Sequence, residues 1–123
     1  MKTHHDLEIW KNAVNFVTKI YAITEQYPKQ ELFGLTNQMR RAAVSIPSNI
    51  AEGAARNYDS EFVRFLYISQ GSLSEIETQL IISLNLGYIT KEKLDEIIND
   101  VYLIRSQISG LIKFKKKAIN QEN

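Results

Sequence analysis

Arg40–Arg41–Ala42–Ala43–Val44–Ser45–Ile46–Pro47–Ser48–Asn49–Ile50–Ala51–Glu52–Gly53 reads as the middle of one long helix, with a proline at its centre and small residues on its flanks. At about 100° per residue, Leu35, Met39, Ala42, Ala43, Ile46, Ile50 and Ala54 fall on one face. Arg41, Ser45, Ser48, Asn49, Glu52 and Arg56 form a polar ridge beside that face. Val44, Ala51 and Ala55 make a second, narrow apolar strip. A helix with so little freely solvated surface is buried on more than one side. One side is expected to meet the chain's own core and the other a second subunit. Pro47 has no N–H for the Ala43 carbonyl, so a kink is expected between them.

Working outward, a first helix is predicted over about 6–25, with Asp6 as N-cap. Its stripe is Leu7, Trp10, Ala13, Val14, Val17, Ile20 and Tyr21. Ile9, Phe16 and Ile23 recur every seven residues beside it and join Val44, Ala51 and Ala55 as candidates for a subunit interface. Tyr27–Pro28 breaks that helix, because proline disfavours the α conformation in the residue before it. The second helix is predicted over about 29–56, the third over about 60–86 and the fourth over about 91–117. Asp59 or Ser60 is expected to cap the third helix, whose stripe is Phe62, Phe65, Leu66, Ser69, Leu73, Ile76, Leu80 and Leu84. Gly87 would end it. Thr90 would cap the fourth, whose stripe is Leu94, Ile97, Ile98, Val101, Ile104, Ile108 and Ile112. Gly71 lies mid-helix, where glycine costs about 1 kcal/mol against alanine. It is expected to mark a close crossing with the second helix. Strand periodicity is absent. Four amphipathic helices with short links predict a single all-α domain over 1–123, an antiparallel up-down-up-down four-helix bundle.

Composition narrows the function. The 123 residues carry a net charge of +1 and no cysteine, which excludes thiol chemistry, disulfides and zinc knuckles. The only histidines, His4 and His5, precede the first helix, so the Glu-x-x-His pairs of di-metal bundles are missing. No serine has a histidine base within its pattern, and neither a Walker loop nor a Gly-x-Gly-x-x-Gly turn is present. Hence neither an enzyme nor any cofactor or metal is expected. The longest uncharged stretch, Thr78 to Thr90, is shorter than the ~20 apolar residues that span a bilayer. With no basic n-region leading into an apolar h-region, a cytoplasmic protein is expected, with no membrane partner.

Two polar features remain. Arg105 interrupts an apolar stripe, and an unpaired buried guanidinium is costly, so it needs a carboxylate or must extend to the edge. A polar cluster is therefore expected to join Arg105 or Arg41 to Glu52 or Glu75, with Asn49 completing its hydrogen bonds. From Arg105 to Lys117 there are five cations and no acid. Cations near a helix C-terminus complement the macrodipole; the alternative is contact with phosphate. Lys113, Lys115, Lys116 and Lys117 are the first candidates for nucleic-acid contact, with Arg40 and Arg56 next. Tyr58, Tyr67, Tyr88 and Tyr102 lie off or at the edge of the main stripes, where they either pack at helix edges or between subunits, or receive a base.

The run Gly34–Leu35–Thr36–Asn37–Gln38–Met39 into Arg40–Gly53 closely resembles the signature of the four-helix bundle family encoded in 23S rRNA intervening sequences. Asp6–Leu7–Glu8–Ile9–Trp10–Lys11–Asn12–Ala13 and Gly71–Ser72–Leu73–Ser74–Glu75 are similar to that family's pattern as well. The resemblance implies a left-handed bundle, assembly into homopentameric rings and no catalytic activity. A related branch comprises accessory proteins of retroelement reverse transcriptases, strongly basic proteins that bind nucleic acid. That implies RNA or DNA, a ribonucleoprotein, or a reverse transcriptase or other protein as partner. At pI 7.9 this chain departs from their basic character. The resulting expectation is a non-enzymatic, oligomeric, RNA-associated bundle, or else a protein-interaction scaffold without direct nucleic-acid contact.

Overall fold

The computed structural model describes His4 and residues 7–122; His5 and Asp6, the expected first cap, lie outside the described residues. Four α-helices follow one another: α1 (Glu8–Thr24), α2 (Leu35–Ala54), α3 (Asp59–Asn85) and α4 (Lys91–Glu122). A 3-10 turn, Lys29–Glu31, precedes α2. No strand occurs among the described residues, and the all-α four-helix architecture read from the sequence is the one adopted.

Each helix packs on two neighbours, α1 and α3 both contacting α2 and α4. Cross-helix bonds give the register. Asn12 reaches Gln107 and Lys19 reaches Asp100, so α1 and α4 run antiparallel. Ser45–Ser72 and Met39–Ser83 do the same for α2 and α3. For α3 and α4 the pairs are Asp59–Lys115, Gln70–Ser109 and Glu77–Arg105. One end of the molecule therefore carries the C-terminal halves of α2 and α4 and the start of α3. The other carries the ends of α1 and α3.

The core is built from Phe16 and Ile20 of α1, Met39, Ile46 and Ile50 of α2, Leu66, Leu73, Ile76 and Leu80 of α3, and Val101, Ile104 and Ile108 of α4. Each such side chain contributes about 1.5–3 kcal/mol on leaving water. On α1 the buried seam is Ile9, Ala13, Phe16, Ile20 and Ile23, in alternating steps of four and three. This corrects the expected subunit contact at Ile9, Phe16 and Ile23, which belong to the chain's own core. Leu7, Trp10, Val14, Val17 and Tyr21 repeat with the same 3–4 spacing, so period alone could not choose between the two seams. Of the second set, Val14 (36% exposed) and Tyr21 (43%) face outward, while Leu7, Trp10 and Val17 are partly buried against the edge of the core.

Helix ends follow local chemistry. Tyr88 N–H bonds to the Ser83 carbonyl and Gly87 N–H to that of Leu84, a Schellman ending that places Gly87 at φ 78°. The Thr90 hydroxyl accepts the Lys93 N–H at 3.1 Å, capping α4. Tyr58 occupies the cap position of α3 and makes no side-chain cap bond, so neither Asp59 nor Ser60 caps that helix. Within α2, Pro47 is buried and the helix continues past it. Ser69 crosses from α3 to donate to the neighbouring Ile46 carbonyl at 3.0 Å.

The close crossing is at Gly53 rather than Gly71. A Cβ on Gly53 would stand 2.9 Å from both Phe62 Cδ1 and Phe65 Cβ, whereas one on Gly71 would meet nothing within 4 Å. Gly71 lies on the outer surface of α3, turned away from α2.

Candidate nucleic-acid interface

α4 continues to Glu122, five residues beyond the expected end, and its last turn holds no cation. The macrodipole effect fades within one turn. Lys113, Lys115, Lys116 and Lys117 therefore lie ahead of the region where it acts. Positions 109, 112, 113, 116, 117 and 120 recur at i, i+3, i+4 spacing and share one face of α4.

That face borders a concavity of about 590 Å³ between α3 and α4, lined by Tyr67 and Gln70 from α3 and by Ser109, Ile112, Lys113, Lys116, Lys117 and Asn120 from α4. Gln70 Nε2 donates to Ser109 Oγ across it at 2.8 Å. Lys116 Nζ stands 5.2 Å from the centre of the half-exposed Tyr67 ring. Among the described residues, Lys113, Lys116 and Lys117 enter no ion pair. Lys115 turns elsewhere. It pairs with Asp59 at 3.2 Å and lies over the Phe62 and Phe114 rings. The expected four-lysine cluster thus divides into three open cations and one neutralised structural contact.

Neither arginine candidate joins them as an open charge. Arg40 Nε donates to Thr24 Oγ1 at 2.9 Å, its NH2 group meets Glu25 at 3.2 Å, and its guanidinium lies 4.5 Å over Tyr21. It clasps α2 to the end of α1, at the opposite end of the molecule from the lysines. Arg56 sits at the lysine end but pairs with Glu52 at 3.2 Å and lies over Phe65.

The expected polar cluster of Arg41, Asn49, Glu52, Glu75 and Arg105 does not form as one unit. Arg105 pairs with Glu77 at 2.6 Å, the two side chains being 31% and 26% exposed. Glu52 is occupied by Arg56. Asn49 donates to the carbonyl and hydroxyl of Ser45, one turn back on its own helix. Arg41 and Glu75 line a separate depression between α2 and α3. The reason is register: Glu77 lies on the α4 side of α3, and Glu75 on its α2 side.

Outside the groove, Val44 is 41% exposed and shares a shallow depression with Tyr21, Asn37 and Ser45. Ala51 is half-buried and Ala55 exposed, extending the strip along α2. At the far end, the Tyr88 hydroxyl donates to Glu31 at 2.8 Å, and that hydrogen bond raises the Tyr88 pKa. Burial raises that of Tyr27, whose ring packs on Tyr88. Among the described residues, no three His, Cys, Asp or Glu side chains gather to hold a metal. No helix there is long and apolar enough to cross a membrane.

Sequence reasoning reached the lysines but missed Gln70, Ser109 and Asn120, which complete the groove wall. The stripe from 109 to 120 was the available signal for the α4 residues. Gln70 carried no local signal, since only the α3–α4 register brings it opposite Ser109.

Comparison with known proteins adds three findings. The sequence model of the family described as 23S rRNA-intervening sequence protein matches residues 5–110, a span that includes Tyr67, Gln70 and Ser109 and stops short of the lysines. The crystal structure of a protein of unknown function from the S23 ribosomal protein family of Bacteroides thetaiotaomicron is similar, with 25% identity and a TM-score of 0.78. The similarity covers 85% of this chain and 95% of that one. No curated protein matches.

Proposed function

This chain belongs to the 23S rRNA-intervening sequence protein family, and from that premise we propose that it is a non-enzymatic, oligomeric, cytoplasmic bundle that associates with RNA through the α3–α4 groove. The observation that carries this reading is the set of three lysines, Lys113, Lys116 and Lys117, lining one concavity without a carboxylate partner among the described residues. An ammonium without a partner replaces cations condensed on the RNA phosphates and gains from their release; a cation already paired with Asp59 or Glu52 gains far less. At net charge +1 the molecule as a whole attracts a polyanion weakly, so affinity depends on this local concentration of charge.

Oligomerisation is proposed through the outer strip of α1 and α2, with Val14 and Tyr21 exposed on α1, Val44 beside Tyr21 on α2, and Ala51 and Ala55 further along α2. Small residues there allow close approach of a second helix, and a ring of five is the assembly the family resemblance suggests. Repetition of the groove around a ring would multiply weak phosphate contacts.

A salt titration of RNA binding tests the reading. Three phosphate contacts per protomer correspond to a slope of about −2 in log K against log salt for a single strand. The variant K113Q/K116Q/K117Q is expected to lose that part of the slope, while R56Q leaves it nearly unchanged. No RNA affinity at 50 mM salt would instead support a protein scaffold with no direct nucleic-acid contact, and an unaltered slope in the triple variant would place the phosphate contacts outside this groove.

A further inference from the structure

Resting on the RNA reading of the same groove, we infer that its substrate class is unpaired RNA, one base stacking on Tyr67 while Lys113, Lys116 and Lys117 hold the flanking phosphates. A patch of lysines alone would serve duplex and single strand alike. The groove contains more than lysines. Tyr67 is 49% exposed, and among the described residues the one cation over its ring is the flexible ammonium of Lys116 at 5.2 Å.

Magnitudes decide which partner keeps the ring. A cation over an exposed ring is worth about two- to five-fold in an equilibrium constant, whereas an unpaired base on a protein ring is worth about five- to 150-fold. A base therefore displaces Lys116 from Tyr67, and the freed ammonium turns to phosphate. Ile112 supplies an apolar floor, and Gln70, Ser109 and Asn120 supply donors and acceptors at the edge. In a duplex the base faces are stacked on each other, so Tyr67 has nothing to receive and only the lysines contribute.

The test compares a 12-nucleotide single-stranded RNA with the blunt duplex it forms with its complement, at one salt concentration, against the full chain. Tyr67→Leu keeps an apolar side chain at a half-exposed position and leaves the core intact. It is expected to weaken single-strand binding at least five-fold and duplex binding less than two-fold. Tyr67→Phe keeps the ring and stays within two-fold of the parent on both. Tyr102→Leu, an exposed ring elsewhere on α4, alters neither. Equal losses of Tyr67→Leu on both forms, no loss on either, or tighter parent binding to duplex would overturn the inference while leaving the lysine groove standing. Absence of binding to either RNA would overturn the groove reading and this inference together.

Discussion

Adding one methyl group to Gly53 should destabilise the bundle, although alanine is the better helix former. In a helix interior Gly→Ala contributes about 1 kcal/mol of stability. At Gly53 the new Cβ would stand 2.9 Å from Phe65 Cβ, 2.9 Å from Phe62 Cδ1 and 3.3 Å from the Phe62 carbonyl oxygen. The Phe62 ring can rotate aside. Phe65 Cβ and the carbonyl are fixed to the α3 backbone, so only the spacing of α2 and α3 can relax. Overpacking costs about 1–3 kcal/mol, and the upper end applies where backbone must move. Subtracting the propensity gain leaves a net loss of about 2 kcal/mol. Gly71→Ala is the matched control, because nothing lies within 4 Å of its Cβ; it should gain about 1 kcal/mol. Urea unfolding at fixed protomer concentration reads both, since assembly makes stability concentration-dependent. With a slope near 2 kcal/mol/M, the midpoint of G53A should fall by about 1 M and that of G71A rise by about 0.5 M. A G53A midpoint at or above the parent's would refute the close-crossing account.

Three further outcomes follow from the geometry. In a double-mutant cycle, Arg105→Ala with Glu77→Ala should show a coupling of about 1 kcal/mol, modest because both side chains remain partly solvated; Arg105→Ala with Glu75→Ala should show almost none. The folded state raises the tyrosine pKa values at 27 and 88 above the usual value of about 10. Their stabilising contribution is therefore complete below pH 10 and lost as pH climbs through the raised values, so urea midpoints should drop on the alkaline side and Tyr88→Phe should shrink that drop. Val14→Asp and Val44→Asp introduce charge on the outer strip while sparing the core; sedimentation velocity should show smaller species with helical content unchanged, and an unaltered assembly would remove the strip from the interface.

Helix number and order were legible because four apolar periodicities are separated by strong breaks. Tyr27–Pro28 ended one helix, Gly87 another, and Thr90 capped the last. Face assignment on α1 was not legible. Its two seams, one through Ile9, Phe16 and Ile23 and the other through Trp10, Val14 and Tyr21, have the same spacing, so packing against α2 and α4 had to choose. The tight glycine was misplaced for a related reason: Gly71 and Gly53 both lie among small residues, and only three-dimensional register brings Phe62 and Phe65 onto Gly53. Arg105 pairs with Glu77 rather than with Glu52 or Glu75, and selecting Glu77 over Glu75 required knowing which flank of α3 faces α4. The lysines stood out in the sequence as a run without acids. Their division into three open charges and one bound to Asp59 depended on a contact 56 residues away along the chain.

Mapping where RNA touches the protein tests the central claim most directly. Ultraviolet crosslinking of a short single-stranded RNA, followed by mass spectrometry of the digested complex, should place adducts on Tyr67 and on the Lys113–Lys117 segment. Adducts concentrated at the opposite end, around Arg40 and Lys93, or none at any position under conditions where RNA is bound, would contradict the account.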